Sequence, residues 1–257
     1  MISAGDVLEF QGARFSCERC GLGRGCIGHS VEANGEPLAG GLRGRHRVQR
    51  AGSHLFRVGD RFSALYVIRS GSVKTYLTSE DGEEQILGFH RPGDVVGFDA
   101  IAEGRHPCSA AALETSSVCI LNFADMTRLC HESAPAFHRF VQTMSRETLR
   151  LVESLLLGRR TAEQRVAAFL LTHADRQGER GYSPKAISLA MSRTDIGKYL
   201  GLTVETVSRI LTRLQDGGLL TKERNQIRVH DLDALRRIVG DVEVGEGVDR
   251  KIGRAHV

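Results

Sequence analysis

The stretch TDIGKYLGLTVETVSRILTRL, residues 194–214, carries the most specific pattern of this chain. Its first part predicts a short helix over residues 194–200, for which Ser192 or Thr194 can serve as the N-cap. Gly201 follows, and glycine at the end of a helix lets the chain turn in the left-handed region. A short helix followed by a tight glycine turn indicates the first half of a helix-turn-helix.

The second helix is predicted over residues 204–214, with Thr203 as its N-cap. Apolar residues recur on one face at the spacing i, i+3, i+4 and i+7, and they are Val207, Ile210, Leu211 and Leu214. The other face carries Glu205, Ser208, Arg209 and Thr212 or Arg213. A helix with an apolar back and a short polar front is the arrangement that reads the major groove of DNA.

The polar face has the chemistry that base recognition requires. Arg209 can donate two hydrogen bonds to a guanine edge, and Glu205 can accept one from a cytosine amino group. Ser208 can contact several bases or a phosphate. The predicted DNA-binding residues are Thr203, Glu205, Thr206, Ser208, Arg209 and Arg213. The alternative is a pair of ordinary core helices with a solvated charged face, and we favour DNA binding.

The segment after this helix also favours DNA binding. Residues 219–228 predict a two-stranded wing, with Lys222, Arg224 and Arg228 directed toward phosphate. From Lys185 to Arg228 the chain has eight Lys and Arg residues against four Asp and Glu residues, a local net charge of +4. The whole chain of 257 residues has a net charge of only +4, which suits one nucleic-acid-binding face better than a wholly basic protein.

Between about His46 and Leu121 the sequence is typical of short strands. Five glycines punctuate this region, namely Gly59, Gly71, Gly82, Gly93 and Gly97. The β-forming stretches between and after them are ALYVIRS, SVKTYLTS, EQILGFH, DVVGFD and SVCILNF. Short strands with turn signals at this spacing predict an antiparallel sandwich or barrel. Asp81 and Gly82 predict a hairpin turn in which both residues take positive φ angles.

From Ala134 to Gly158 the apolar period becomes helical. A heptad-like stripe is formed by Phe137, Val141, Met144, Thr148, Leu151 and Leu155. Such a stripe suits either a helix that packs on its own domain or the seam of a dimer, and we favour the dimer. A further helix is predicted to begin after Thr161, which can form a capping box with Gln164.

Near the N-terminus, Cys17, Cys20 and Cys26 stand at C-x2-C-x5-C spacing in the glycine-rich stretch SCERCGLGRGCIG, residues 16–28. This stretch has too few apolar residues to form a core of its own, which indicates a metal centre. Six cysteines in a chain without a secretory signal favour metal or redox use over disulfides. Spacing alone leaves an iron–sulfur cluster and a zinc ion completed by His29 equally open.

Several classes of protein lack support in the sequence. No apolar run approaches the ~18 residues that a membrane span needs, and no secretory signal is recognisable, so we expect a cytoplasmic protein. No nucleotide-binding glycine motif and no radical-type C-x3-C-x2-C motif is present, so we expect no enzymatic activity. We expect a disordered tail over residues 241–257, of which residues 252–257 (IGRAHV) match the translation of a sequencing adapter.

Taken together, these segments resemble the Crp/Fnr family of transcriptional regulators, and most closely its fumarate and nitrate reduction branch of anaerobic regulators. The similarity runs from Cys17 to about Arg237 and is carried by SALYVIRSGSVKTY, EQILGFHRPGDVVGFDAI, ALETSSVC and SRTDIGKYLGLTVETVSR. It implies an α+β fold with a cyclic-nucleotide-binding-like β-roll (a double-stranded jelly roll), a long dimerisation helix and a C-terminal winged helix-turn-helix. The implied domains are a cluster-binding arm (1–45), a sensor β-roll (46–132), a dimerisation helix (133–158) and a DNA-binding domain (159–240).

In this branch of the family, three N-terminal cysteines and one internal cysteine hold an oxygen-labile [4Fe–4S] cluster. The ligands that the resemblance implies are Cys17, Cys20, Cys26 and Cys119. Cys108 and Cys130 have no counterpart, and we expect them to be ordinary buried or half-buried residues. The alternative is a Crp-like regulator with a structural zinc site or another small-molecule effector. An iron–sulfur electron carrier would leave the helix-turn-helix unexplained.

The resemblance implies an oxygen-responsive homodimer that regulates anaerobic metabolism genes. Glu205, Ser208 and Arg209 would read an inverted repeat with TTGAT-like halves. The hairpin at residues 80–84 would contact RNA polymerase. The turn GRHPCSAA, residues 104–111, lacks the Arg-Ser step that holds the ligand phosphate in the cyclic-nucleotide branch, so we expect no cyclic nucleotide.

Overall fold

The computed structural model of this chain describes residues 7–8, 22, 26–27, 32–33, 36–37 and 45–240. Two compact units are distinguished by their internal contacts. The first contains the β-rich part up to residue 156 together with residues 190–204, and the second contains residues 157–189 and those from 205 onward.

The strands of the first unit form two antiparallel sheets. In chain order they are Val7–Leu8 (β1), Glu32–Ala33 (β2), Glu36–Pro37 (β3), Arg45–Gln49 (β4), His54–Phe56 (β5), Ala64–Ser70 (β6), Val73–Thr78 (β7), Glu84–His90 (β8), Val95–Val96 (β9), Ser109–Ala112 (β10) and Ser116–Asn122 (β11). One sheet has the order β1-β4-β11-β6-β9 and the other has the order β5-β10-β7-β8, while β2 pairs with β3. The predicted antiparallel β-roll is confirmed.

The helices of both units and the strands of the second unit complete the fold. The helices are Phe123–Glu132 (α1), Ala134–Leu157 (α2), Ala162–Glu179 (α3), Arg193–Leu200 (α4), Val204–Asp216 (α5) and Leu232–Val239 (α6), with a 3-10 turn at Phe98–Ala100. The remaining strands are Ala186–Ser188 (β12), Leu220–Glu223 (β13) and Gln226–Val229 (β14). The long helix and the winged helix-turn-helix elements predicted from the sequence are therefore present.

Strand β11 separates two apolar cores, because successive side chains of a strand point to opposite faces. Val118 packs with Phe56 and Ile68 in the core between the two sheets. Cys119 and Leu121 pack on the other face of the five-stranded sheet, in a cluster that α1 and the start of α2 complete. This second cluster, which we call the outer core, contains the fully or mostly buried residues Cys26, Ile27, Leu65, Val67, Val95, Cys119, Leu121, Met126, Leu129 and Ala136.

The five glycines noted in the sequence all have positive φ angles, between 77° and 103°. The hairpin between β7 and β8 differs in one respect from the prediction. Gly82 has a φ of 81°, whereas Asp81 is absent from the positive-φ residues. The loop has five residues and is built on a turn closed by the Gly82 N–H and the Ser79 carbonyl at 3.0 Å, so only its last corner needs a left-handed residue.

Helix α1 was not expected from the sequence, which predicted that a strand continued to Phe123. The Asn122 side chain accepts hydrogen bonds from the N–H groups of Ala124 and Asp125, at 3.0 and 3.2 Å. Asparagine is among the preferred N-cap residues, because its side chain satisfies amides that the first helical turn leaves unpaired. This cap ends β11 and turns the chain directly into α1.

The second unit contains more structure than the sequence predicted. The predicted capping box is confirmed, because Thr161 accepts from the Gln164 N–H at 3.3 Å and the Gln164 side chain accepts from the Thr161 N–H at 3.0 Å. The wing is part of a three-stranded sheet with the order β12-β14-β13, in which β12 was not predicted. Helix α6, also not predicted, contacts α3. Within the described residues, no helix is long and apolar enough to cross a membrane.

Candidate nucleic-acid interface and cysteine site

The turn between α4 and α5 depends on two glycines. Gly201 adopts the predicted left-handed conformation, with φ 64° and ψ 42°. Gly197 was not singled out in the sequence, yet a Cβ there would lie 2.6 Å from the Leu202 carbonyl oxygen. Any larger residue at Gly197 would therefore force the turn open. The sequence does contain a G-x3-G spacing around Lys198–Leu200. This spacing indicates the need for glycine at position 197 only when the geometry of the turn is known.

The N-terminus of α4 is capped by Ser192, the first of the two candidates. The Ser192 hydroxyl accepts from the Asp195 N–H at 3.0 Å, and the Asp195 carboxylate accepts from the Ser192 N–H at 3.1 Å. Burial opposes ionisation of Asp195, but hydrogen bonds from Ser192 and Lys74 outweigh it and hold the pKa of this carboxyl below its ordinary value.

Helix α4 also contacts the β-roll. Lys74 of β7 lies 2.7 Å from a Glu84 carboxylate oxygen and 3.0 Å from an Asp195 carboxylate oxygen. The Gln85 side chain donates to the Lys198 carbonyl at 2.9 Å. Burial favours the neutral amine of Lys74, but its two carboxylate partners outweigh burial and raise the pKa of Lys74. Helix α4 is thus held to the β-roll by a half-buried ion-pair network.

Helix α5 has the two faces that its sequence pattern predicted. The four apolar residues Val207, Ile210, Leu211 and Leu214 are all buried. Of the six candidate DNA contacts, Thr203, Glu205, Ser208, Arg209 and Arg213 are exposed and Thr206 is half-buried. The Arg209 guanidinium donates to the Thr206 hydroxyl at 3.3 Å, and Arg213 lies 3.9 Å from Glu163. The exposed polar face therefore presents donors and an acceptor on one helix.

The wing presents basic side chains beside α5. Lys222 donates to the Thr212 hydroxyl at 2.8 Å, which joins β13 to the middle of α5. Arg224 has a φ of 48°, a conformation that a bulky residue adopts uncommonly, and stands at the turn between β13 and β14. Arg224 and Arg228 are exposed. These cations are free to approach a phosphate backbone.

Two of the four candidate cysteine ligands lie in the described part of the chain, and the structure brings them into one cluster. Cys26 and Cys119 are 7% and 8% exposed, and both belong to the outer core. Cys17, Cys20 and His29 lie outside the described residues. Among the described residues, no group of three or more metal-binding side chains occurs.

The two remaining cysteines occupy different cores. Cys108 is buried between the sheets and its thiol donates to the Asp99 carboxylate at 3.1 Å. Burial and the nearby Asp99 carboxylate raise the pKa of the Cys108 thiol far above its ordinary value. Cys130 is half-buried against the outer core, and burial raises the pKa of its thiol.

Helix α2 exposes most of its apolar stripe. Exposed fractions are 55% for Phe137, 45% for Val141, 57% for Leu151 and 77% for Leu155. Thr148 is exposed as well, and Met144 is half-buried. A row of exposed large apolar side chains along one helix is typical of an interaction surface.

Comparison with known proteins identifies the family. Residues 46–133 match the model of a cyclic nucleotide-binding domain, and residues 164–238 match that of a Crp-like helix-turn-helix domain. The chain is 40% identical over 234 residues to the fumarate and nitrate reduction regulatory protein of Escherichia coli K12, covering 91% of this chain and 94% of that protein. The corresponding protein of Klebsiella oxytoca is 39% identical over the same coverage. The chain belongs to the Crp/Fnr family.

Solved Crp/Fnr structures share its architecture. The structure of FixK2 from Bradyrhizobium japonicum is 30% identical, with a TM-score of 0.71 over 78% of this chain and 99% of that one. A CooA mutant from Carboxydothermus hydrogenoformans shares the fold, at 21% identity and a TM-score of 0.63. The Crp/Fnr chain described here is a DNA-binding transcriptional regulator, and regulators of this family dimerise.

Proposed function

We propose that this Crp/Fnr regulator responds to oxygen through a [4Fe–4S] cluster held by Cys17, Cys20, Cys26 and Cys119. The observation that carries the proposal is the burial of Cys26 and Cys119 in one apolar cluster, although 93 residues separate them in the chain. The 40% identity to proteins named for fumarate and nitrate reduction supports the same proposal.

The thiols present fit such a group. Iron–sulfur clusters are ligated by four cysteine thiolates and are tuned by burial and nearby hydrogen bonds. Cys26 and Cys119 supply two thiols in a largely dry setting, which is bounded by Leu65, Val67 and Leu121. When bound, the cluster supplies an oxygen-labile link between the N-terminal segment and the β-roll.

The elements packed around these two thiols connect the candidate cluster ligands to the start of α2. Ile27 packs in the outer core beside Cys26, and the same cluster contains Met126 of α1 and Ala136 of α2. Cys26 and Ile27 therefore belong to the same apolar cluster as the start of α2, the helix that carries the exposed stripe. Displacement of Cys26 and Ile27 would uncover apolar surface at the start of that helix and change its packing.

Dimerisation through α2 would complete the DNA-reading surface. Two recognition helices must lie about 34 Å apart to read successive major grooves, so only a dimer contacts both halves of an inverted repeat. We propose that Glu205, Ser208 and Arg209 read TTGAT-like halves, with further contacts from Thr203, Thr206 and Arg213. The exposure of Glu205, Ser208, Arg209 and Arg213 on α5 supports this assignment.

Cyclic nucleotide binding is not part of the proposal. In the segment at residues 104–111, which ends in β10, Cys108 stands before Ser109, and Asp99 places a carboxylate 3.1 Å from the Cys108 thiol. The Ser109 hydroxyl already accepts a hydrogen bond from the Val58 N–H at 3.1 Å. A carboxylate and an engaged hydroxyl disfavour a ligand phosphate, so calorimetric titration with cyclic AMP should show no binding.

A contact with RNA polymerase is proposed for the hairpin between β7 and β8. Glu80, Asp81 and Glu83 are exposed at its tip, whereas Glu84 is engaged by Lys74. The three exposed acidic groups form the available surface for a basic partner.

Sedimentation tests the proposed switch. Anaerobic protein should sediment as a dimer and bind an inverted-repeat duplex, and air-exposed protein should sediment as a monomer and bind weakly. Equal dimerisation in both samples would contradict an oxygen-controlled monomer–dimer balance. A regulator with a structural zinc ion would give that equal result.

A further inference from the structure

Cys119 lies on β11, the central strand of the five-stranded sheet. Strand β11 is flanked by β4 on one side and β6 on the other. In the two ladders Cys119 stands opposite His46 of β4 and opposite Val67 of β6. Directly opposed residues of antiparallel strands project to the same face with Cβ atoms about 5 Å apart. His46 is therefore the cross-strand neighbour of Cys119 on the face of the outer core.

A hydrogen bond bridges the two flanking strands over β11. The Arg69 guanidinium of β6 donates from Nη1 to His46 Nδ1 at 2.7 Å. Adjacent strands are about 4.8 Å apart, so β4 and β6 are separated by about 10 Å, and the bond must pass above β11. Because His46 shares the face of Cys119, the His46–Arg69 bridge crosses β11 on the same face as that thiol. Both side chains of the bridge are half-buried.

The bridge fixes which nitrogen of His46 carries its proton. A guanidinium has five donors and no acceptor, so Nδ1 of His46 must accept. An imidazole that accepts at Nδ1 is neutral and carries its proton on Nε2. The neutral ring of His46 therefore presents an N–H at Nε2, and the permanently charged guanidinium of Arg69 lies next to its Nδ1.

On the basis of the proposed function, we propose that His46 and Arg69 form a positioning pair for the Cys119 sulfur in its role as a cluster ligand. His46 offers an N–H to the thiolate, and Arg69 fixes the tautomer of His46 and supplies positive charge. Hydrogen bonds to ligand sulfurs and nearby cations stabilise the reduced, more negative state of an iron–sulfur centre. The pair thus sets how readily the bound centre is oxidised.

Variants of the pair separate this role from a merely structural one. His46→Leu removes the donor, His46→Gln keeps an N–H, and Arg69→Gln removes the positive charge of the guanidinium. His54→Gln is the matched control, because His54 is half-buried on the other sheet and hydrogen-bonded to the Tyr76 hydroxyl at 2.7 Å.

The readouts are the reduction potential of the anaerobically loaded full-length protein and the half-time of its absorbance loss in air. His46→Leu should have a more negative potential and should lose absorbance faster. The expected factor is on the order of ten, because removing a hydrogen-bond partner of a metal ligand typically weakens metal binding at least tenfold. Arg69→Gln should shift both readouts in the same direction, and His46→Gln and His54→Gln should stay near wild type.

Two failures are distinguishable. Iron-loaded wild type with unshifted potentials in His46→Leu and Arg69→Gln would overturn the pairing and leave the proposed function standing. Wild type that binds no iron or sulfide would overturn both. If His46→Leu does not fold, Arg69→Gln carries the test, since it leaves His46 in place and removes the guanidinium charge.

Discussion

A step of one residue along β11 changes the environment of a side chain completely. Val118 is buried between the two sheets, and Cys119 is buried in the outer core beside α1 and α2. Because the side-chain period of a strand is two, a register shift of one residue would move Cys119 into the wrong core. The pairings of β11 with β4 and β6 therefore determine where the candidate fourth ligand is placed.

Cysteine substitutions test this placement. Cys119→Ser should lose iron and sulfide as fully as Cys20→Ser, because a serine hydroxyl is a poor substitute for a thiolate ligand. Cys108→Ser should retain both, since Cys108 lies in the other core. Iron and sulfide per chain after anaerobic purification are the measurement. Retention in Cys119→Ser would show that the fourth ligand is assigned wrongly.

Base recognition by α5 is tested at Arg209. Arg209→Ala should cost about 1–3 kcal/mol of binding free energy on the inverted repeat, because a side chain that can donate twice to guanine is removed. Arg228→Ala is the control, since a wing residue that contacts phosphate should weaken binding to all sequences alike. Fluorescence anisotropy with specific and random duplexes measures both. An equal loss on both duplexes for Arg209→Ala would mean that Arg209 contacts only phosphate.

At the scale of an element, α2 combines an anchored start with an exposed stripe. Its start packs in the outer core through Ala136. Farther along, Arg150 ion-pairs with Asp94 at 2.8 Å and with Glu147. Asp94 is 3% exposed at the side chain, so this ion pair holds the helix to the turn before β9. The stripe is left available to a second copy.

A charge in the stripe should break the dimer without unfolding the chain. Leu151→Glu places a carboxylate at a seam position that is 57% exposed in the single chain, so the cost falls on association. Leu149→Glu is the matched control, because Leu149 is 56% exposed but lies off the heptad stripe. Sedimentation of anaerobic protein should give a monomer for the first and a dimer for the second. A dimeric Leu151→Glu variant would exclude this stripe as the seam.

The ion-pair network on α4 predicts a pH dependence. The folded-state pKa of Asp195 is lowered, so its contribution to stability is present above its ordinary pKa and is lost as the pH falls through the folded value. Asp195→Asn should therefore be less stable than wild type at pH 7, and the difference should disappear in strong acid. Urea unfolding between about pH 7 and pH 2 measures it. A difference that is independent of pH would show that the charge of Asp195 does not stabilise α4.

The elements predictable from the sequence are those whose pattern is local. Strands β6 and β8 coincide with the predicted stretches ALYVIRS and EQILGFH. Both stretches are rich in residues that favour strands, so local propensity was enough to predict them. Strand β10 has the sequence SAAA and is buried at every position, so its pairing with β5 and β7, rather than propensity, makes it a strand. Helix α1 begins at the N-cap Asn122. It was missed because Asn122 directly follows an apolar run, which predicted that the strand continued to Phe123.

The candidate sites divide in the same way. The two faces of α5 follow from one helical period, and the structure has them as the sequence predicts. The presence of Cys26 and Cys119 in one cluster was expected only through the family resemblance, because spacing along the chain carries no information about strand register. The His46–Arg69 bridge needs the order of three strands and could not be predicted from either segment alone.

At the scale of the whole molecule, the first unit brings three functional elements together. The outer core holds Cys26 and Cys119, the exposed stripe of α2 begins at its edge, and the ion-pair network of Lys74 holds α4 to the roll. Under the proposed function, a change in ligation at the outer core would act within the unit that also carries the candidate dimer seam and the helix that supports the DNA-reading motif. An oxygen response by this route requires that the thiols bind an iron–sulfur cluster.

That requirement is tested most directly by the colour and composition of protein purified without air. We expect a brown protein with about four iron and four sulfide per chain, which loses both on exposure to oxygen. Colourless protein with one zinc ion per chain, unchanged by air, would contradict it.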